Sequence, residues 1–261
     1  MEAGKEFVIR VLSRVFGYEA EEILTGAGRR ADLRIADVES VYHIEVKEKC
    51  ESVELAAKRT AVLASGELYQ QSDELAHDNR ISGIIRDASK QLDQTPKDDG
   101  TFQLIWFHAN GVDADAKTRQ AMATFYGQVA LSPQWDGSDI NTWRGSQPAT
   151  LPTCFYFDYA TSHTMPTVEG LFISDAKGLQ LCLNEFSLRS KEFRESALCR
   201  TAVELRCVCD PVALADRGEI IACRFKLPRK DDNETARALK EQTGVLYSPI
   251  RLTRHSYSAA M

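Results

Sequence analysis

No CxxC pair, internal repeat, low-complexity tract or apolar run of about eighteen residues occurs in this sequence, and each absence closes off a class. Without a membrane-length run, and with a start, MEAGKEFVIR, that shows no apolar core behind a basic end, a soluble and cytoplasmic chain is expected. Without a P-loop, a GxSxG elbow or a dinucleotide fingerprint, the commonest rival enzyme classes drop out. Basic residues are in deficit: the formal net charge is −6, which argues against a protein that coats nucleic acid through surface Lys and Arg. An enzyme with a locally basic cleft remains compatible, and Arg29 and Arg30 lie just ahead of Asp32. The seven cysteines, odd in number and scattered from Cys50 to Cys223, fit reduced thiols better than a disulfide framework. Cys199, Cys207, Cys209 and Cys223 lack zinc-ligand spacing, and Cys207-Val-Cys209 reads as neighbours on one strand face.

What is present is enough apolar residue, 43% of 261, to build a real core in one large domain or two modest ones. Helical spacing of Phe7, Val8, Val11, Leu12, Val15 and Phe16 predicts a short amphipathic helix over 5–16 that Gly17 ends. A first strand is expected within 18–26, and 50–79 suggests helix without a clear frame. Ile81, Ile84, Ile85, Ala88 and Leu92 share one helical face over 80–94, with Pro96 as the stop; TFQLIWFHAN at 101–110 reads as a buried strand, and 113–128 resumes a helical period. The stretch 131–150, rich in Gly, Pro, Ser and Asp, reads as a loop and divides the chain into a core at 1–130 and a strand-rich α/β extension at 151–261. In the extension, TCFYFDYA, a hairpin turning at 175–178, a charged helix over 191–204, a strand at 219–226, a helix from Asp232 or Asn233 to Gly244 and a short VLYSPI strand are expected.

The most informative stretch is ADLRIADVESVYHIEVKEK at 31–49. LRIA and VYHIEV alternate at the two-residue period of strands around a turn-rich Asp37–Ser40, a hairpin pattern. Pairing Ala36 with Val41 places Asp32 opposite Glu45, with Cβ atoms about 5 Å apart. Lys47 leaves its strand on the same face as Glu45. Two oxygen ligands and one ammonium then converge on one point, the residue types that metal-assisted phosphodiester cleavage needs. The short pattern [D/E]-x-K also occurs at Asp115–Lys117 and Asp175–Lys177, but there it opens a helix or makes a turn, so context singles out Glu45–Lys47. His108 ends a strong strand and Trp106 alternates with core residues, so packing roles are expected for both.

Over residues 1–130 the order of elements, with Asp32 at the first acidic position and Glu45-Val46-Lys47 at the second, resembles the PD-(D/E)XK nucleases. This is the restriction-endonuclease-like superfamily, and the arrangement is closest to its Holliday-junction resolvases. The resemblance implies a mixed central sheet flanked by helices, with Glu6 on the first helix leaning into the site and Lys90-Gln91 on the later helix near the phosphate. It departs from the family pattern in Ala31, where the family has Pro, and in the long segment between Lys47 and Gln91. Mg²⁺ or Mn²⁺ held by Asp32, Glu45, Glu6 and the Val46 carbonyl is then expected, with Lys47 as the cation beside water and phosphate. Arg29, Arg30, Lys49 and Lys90 would form the nucleic-acid face. The function implied is metal-dependent hydrolysis of nucleic acid, DNA first, in defence or repair; cutting both strands of a duplex with one site per chain would need a homodimer or larger complex. The rivals are a silent member of the same fold serving as a scaffold subunit, and a partner-binding module formed by 151–261.

Overall fold

The computed structural model describes residues 3–23, 30–98, 100–134, 151–223 and 232–259. Arg29, most of the 131–150 stretch and the end of the strand expected at 219–226 lie outside the described residues. The protein is α/β, with a seven-stranded mixed sheet flanked by helices. Its order is β1 (Glu21–Glu22), β2 (Leu33–Ala36), β3 (Val41–Lys49), β5 (Thr101–Ala109), β8 (Gly170–Ser174), β9 (Leu179–Leu183) and β10 (Val208–Cys209). The first three strands form an antiparallel meander, β3, β5 and β8 run parallel, β9 returns antiparallel to β8, and β10 runs parallel to β9.

Every residue of β5 is buried, because helices cover both faces of its centre. On one face α1 (Ala3–Val11), prolonged by a wider turn over Leu12–Phe16, sets Val8 and Leu12 against Tyr42, Ile44 and Trp106. Gly17 ends it at φ 75°, a left-handed conformation that costs a glycine little, and its N–H returns to the Leu12 carbonyl. On the other face α3 (Asn79–Gln94) lays Ile81, Ile85, Ala88 and Leu92 against Ile105 and Phe107. Asp78 caps α3 by accepting the N–H groups of Arg80 and Ile81.

The sheet continues across the expected boundary. Three of its seven strands, β8, β9 and β10, come from 151–261, and β8 pairs with β5 from Leu104 to His108. The extension thus completes the sheet of the core instead of standing beside it, since β5 needs a neighbour on each edge to satisfy its backbone. Around the sheet lie α2 (Val53–Ala64), α4 (Ala114–Tyr126), α5 (Ser190–Glu195), α6 (Ala197–Glu204), α7 (Pro211–Asp216) and α8 (Asp232–Thr243). A second sheet joins β11 (Ile221–Ala222), β7 (Thr153–Phe155), β6 (Val129–Pro133) and β12 (Tyr247–Ile250).

Three local expectations need correction. The charged helix over 191–204 is two helices, because Ser196 is extended and its hydroxyl caps the second by accepting the Cys199 N–H. The strand in TCFYFDYA stops at Phe155, where Tyr156 turns the chain at φ 63°. The helix suggested within 50–79 is confined to Val53–Ala64, and Tyr69–Glu74 is instead strand β4, paired with β13 (Thr253–Ser258) in a two-stranded ribbon hidden from pattern because YQQSDE and TRHSYS have no apolar face to show a strand period.

Candidate active site

The β2–β3 hairpin is locked at its turn by Asp37. One carboxylate oxygen accepts the N–H groups of Glu39 and Ser40 at 2.8 Å each, and the other accepts the Tyr18 and Tyr42 hydroxyls at 3.0 and 2.9 Å. Burial pushes the Asp37 carboxyl up, but these donors outweigh it and hold it below the ordinary value. With the turn fixed, Ala36 pairs with Val41 and Leu33 with Ile44.

At the open end the ladder kinks. The Asp32 N–H goes to the Ile44 carbonyl, one residue short of the strand register, and the Ala31 N–H leaves the sheet for the Thr95 hydroxyl at 2.7 Å. Such a bulge re-aims a side chain. The Asp32 carboxylate takes the place of the missing strand carbonyl and accepts the Val46 N–H at 2.9 Å, while its other oxygen meets the Lys5 ammonium of α1 at 2.8 Å.

Glu45 lies beside it and is only 1% exposed. Its Oε1 meets the Lys47 ammonium at 2.5 Å, and Lys47 also donates to the Gln91 side chain of α3 at 2.6 Å. Its Oε2 is buried and, among the described residues, meets no donor; the Asp32 carboxylate is the neighbour with which Glu45 shares a hydrogen bond when protonated. Burial pushes the Glu45 carboxyl up to about 7; the bond from Lys47 pulls it down, and the neighbouring Asp32 charge pushes it up again. Near neutral pH this group therefore exchanges a proton easily and has an unused oxygen, an arrangement that favours uptake of a cation or a proton.

Asp32, Glu45, Lys47, Gln91 and the Val46 backbone thus meet at one place. Glu6 does not join them: it is exposed, and its neighbour Lys5 reaches Asp32 instead. The helix is held at this rotation by Gly4, whose N–H donates to Glu48 at 2.9 Å and whose missing side chain lets α1 descend, since a Cβ there would stand 2.8 Å from that oxygen. Lys90 likewise turns outward to pair with Asp87 at 3.1 Å, because one residue along a helix rotates a side chain by about 100° from Gln91. Arg30 and Lys49 are half-buried. Sequence reasoning missed Lys5 and Thr95; a Thr at the end of a helix just before Pro96 is the one signal that pointed to either.

The packing roles hold for two aromatic positions. His108 stacks on Phe7 at 4.2 Å and bonds Ser174, and Trp106 is fully buried with its N–H on the same hydroxyl. Asp175 closes the β8–β9 turn by accepting the N–H groups of Lys177 and Gly178. Among the described residues no group of three or more His, Cys, Asp or Glu side chains is arranged to hold a metal, and no helix is long and apolar enough to cross a membrane. No family model, curated protein or solved structure matches this chain.

Proposed function

We propose that this chain is a divalent-metal-dependent nuclease that hydrolyses phosphodiester bonds of nucleic acid, with DNA as the favoured substrate, in defence or repair. The observation that carries the reading is the pairing of two adjacent carboxylates, one with a buried oxygen that meets no donor, with a lysine held between Glu45 and Gln91. The order of elements supports it: α1, an antiparallel meander, α3 and the parallel strand β5 is the arrangement that the PD-(D/E)XK resemblance implies.

The donor set suits Mg²⁺ or Mn²⁺, because such an ion takes one or two carboxylates and keeps several waters. Asp32 and Glu45 would hold it, and the Val46 carbonyl faces the same strand edge as the Val46 N–H that Asp32 binds. When bound, the ion would supply Lewis-acid charge at the phosphate and a more acidic water. Lys47 adds a fixed positive charge where negative charge grows on the phosphate, and Gln91 keeps that ammonium from swinging away. Lys5 neutralises Asp32 until a cation competes for it.

The test is incubation with plasmid, linear, branched and single-stranded DNA and with RNA, in Mg²⁺, Mn²⁺ or EDTA. Metal-dependent cleavage is the expected result. A scaffold subunit is the second reading, and the Lys5–Asp32 ion pair favours it, because an ammonium already sits on one of the two carboxylates. No cleavage with any metal, together with no Mg²⁺-dependent rise in melting temperature, would establish that reading.

A further inference from the structure

A cavity of about 510 Å³, lined by none of Asp32, Glu45, Lys47 and Gln91, opens at the junction of the three sheets. Ile173 at the carboxyl end of β8, Val129 of the second sheet, and Leu75 and Leu252 at the end of the β4–β13 ribbon all line it, and α4 forms one wall. Its volume lies within the range of small-molecule sites, which favour such junctions between structural units.

The charge of the walls is uneven. Three cations, Arg119, Lys177 and Arg206, face two carboxylates, Asp115 and Asp175, in a chain that is acidic as a whole. Both carboxylates are already engaged. Asp115 meets Arg119 at 3.5 Å and Arg254 at 3.2 Å, and Asp175 is held by the N–H groups of its own turn. Lys177 and Arg206 have no ion-pair partner among the described residues. Both belong to the same stretch of wall, where Lys177, Gly178, Leu179 and Gln180 of the β8–β9 hairpin and Arg206 and Cys207 at the entry to β10, the strand beside β9, line the cavity. A packing gap in a core is closed and apolar, whereas this cavity joins an apolar floor to two unneutralised cations at one rim.

We propose that the cavity binds a small organic anion, a carboxylate or phosphate head on an apolar body. Lys177 and Arg206 hold the head, and Met122, Ile173 and Leu179 receive the body. A charged hydrogen bond to each cation fixes the head, and burial of the body against the floor supplies the non-directional part of the affinity.

Calorimetric titration of the full chain with octyl phosphate, octanoate, octanol and inorganic phosphate tests it. One saturable site for octyl phosphate or octanoate is expected, at least tenfold tighter than for octanol, which lacks the charge, or inorganic phosphate, which lacks the body. Two variants locate the head group. Arg206 sits at φ 55°, where glycine is the more comfortable residue, so Arg206→Gly removes the guanidinium without straining the backbone. Lys177→Ala removes the other charge at an exposed turn. Roughly tenfold weaker binding in at least one of them, at unchanged melting temperature, supports the proposal. No saturable uptake of either amphiphile, octanol as tight as octanoate, inorganic phosphate as tight as octyl phosphate, or wild-type affinity in both variants overturns it. This proposal does not rest on the nuclease reading: both variants leave Asp32, Glu45 and Lys47 in place and the readout is binding, so weakening by Arg206→Gly or Lys177→Ala assigns the phosphate or carboxylate head to this cavity whether or not the chain cleaves nucleic acid.

Discussion

The two ends of the β2–β3 hairpin hold acidic groups in opposite circumstances. At the turn, Asp37 is satisfied by four donors and its carboxyl is held below the ordinary value. At the open end, Glu45 is more deeply buried, has a single ammonium donor for one oxygen and no donor for the other, and its carboxyl is pushed up to about 7, first by burial. Saturated hydrogen bonding makes a carboxylate structural, while an acceptor left without a donor and kept out of water is costly to the fold and free to take a cation or a proton. One short hairpin thus separates a residue that sets register from residues that use it.

The largest expected effect lies at the open end. Asp32→Asn should abolish metal-dependent cleavage, a loss on the order of 10³ or more, while the fold survives because the amide oxygen can still accept the Val46 N–H. Parallel cleavage and melting assays separate the two consequences. Lys47→Ala should come next, with a rate on the order of 10² lower and Mg²⁺ binding retained, since charge stabilisation is lost while both carboxylates remain. Mg²⁺ titration by calorimetry checks the second half of that statement.

At the turn end the expectation reverses. Asp37→Ala should cost about 2 kcal/mol of stability through the loss of charged hydrogen bonds, with the rate per folded molecule preserved. Urea denaturation beside a rate measurement at low temperature would show it; an equal loss of rate and stability would mean that the two ends are not separable.

The smallest effect is in pH dependence. A carboxyl raised in the fold above its ordinary 4.5 binds its proton more tightly there than in the unfolded chain, so its stabilising contribution is present below 4.5 and is lost as pH rises through about 7. Buried Glu169, also near 7, adds to this trend, and Asp37 acts oppositely, its contribution being lost in acid. Glu45→Gln should therefore melt close to wild type at pH 4 and a few degrees higher at pH 8 in EDTA. A constant difference across that range would show that Glu45 does not titrate there.

The register of this hairpin was readable in advance because a tight turn and a strict alternation leave one alignment that buries Leu33, Ile35, Tyr42 and Ile44 together. For the same reason α3 and β5 were readable: each has a strong period and a clear stop. Helix phase at α1 was not. Lys5 and Glu6 are adjacent charged residues, and the choice between them is made by Gly4 resting on Glu48, a contact between residues far apart in sequence. Nor could the kink at Asp32 be seen, since it depends on a bond from Ala31 to Thr95 beyond the end of another helix. Local pattern carries the elements, and contacts remote in sequence decide how a side chain at their ends is aimed.

The β4–β13 ribbon has a consequence for the order in which the chain is made. Its two strands are about 180 residues apart in sequence, and β4 lies in the segment that links the Glu45–Lys47 strand to α3. During synthesis at roughly 5–20 residues per second, β4 would wait on the order of ten seconds or more for its partner. Over that interval its edge stays unpaired, and the alternating exposed side chains of YQQSDE, with Asp73 and Glu74 at its end, are what keeps that edge from recruiting another nascent chain.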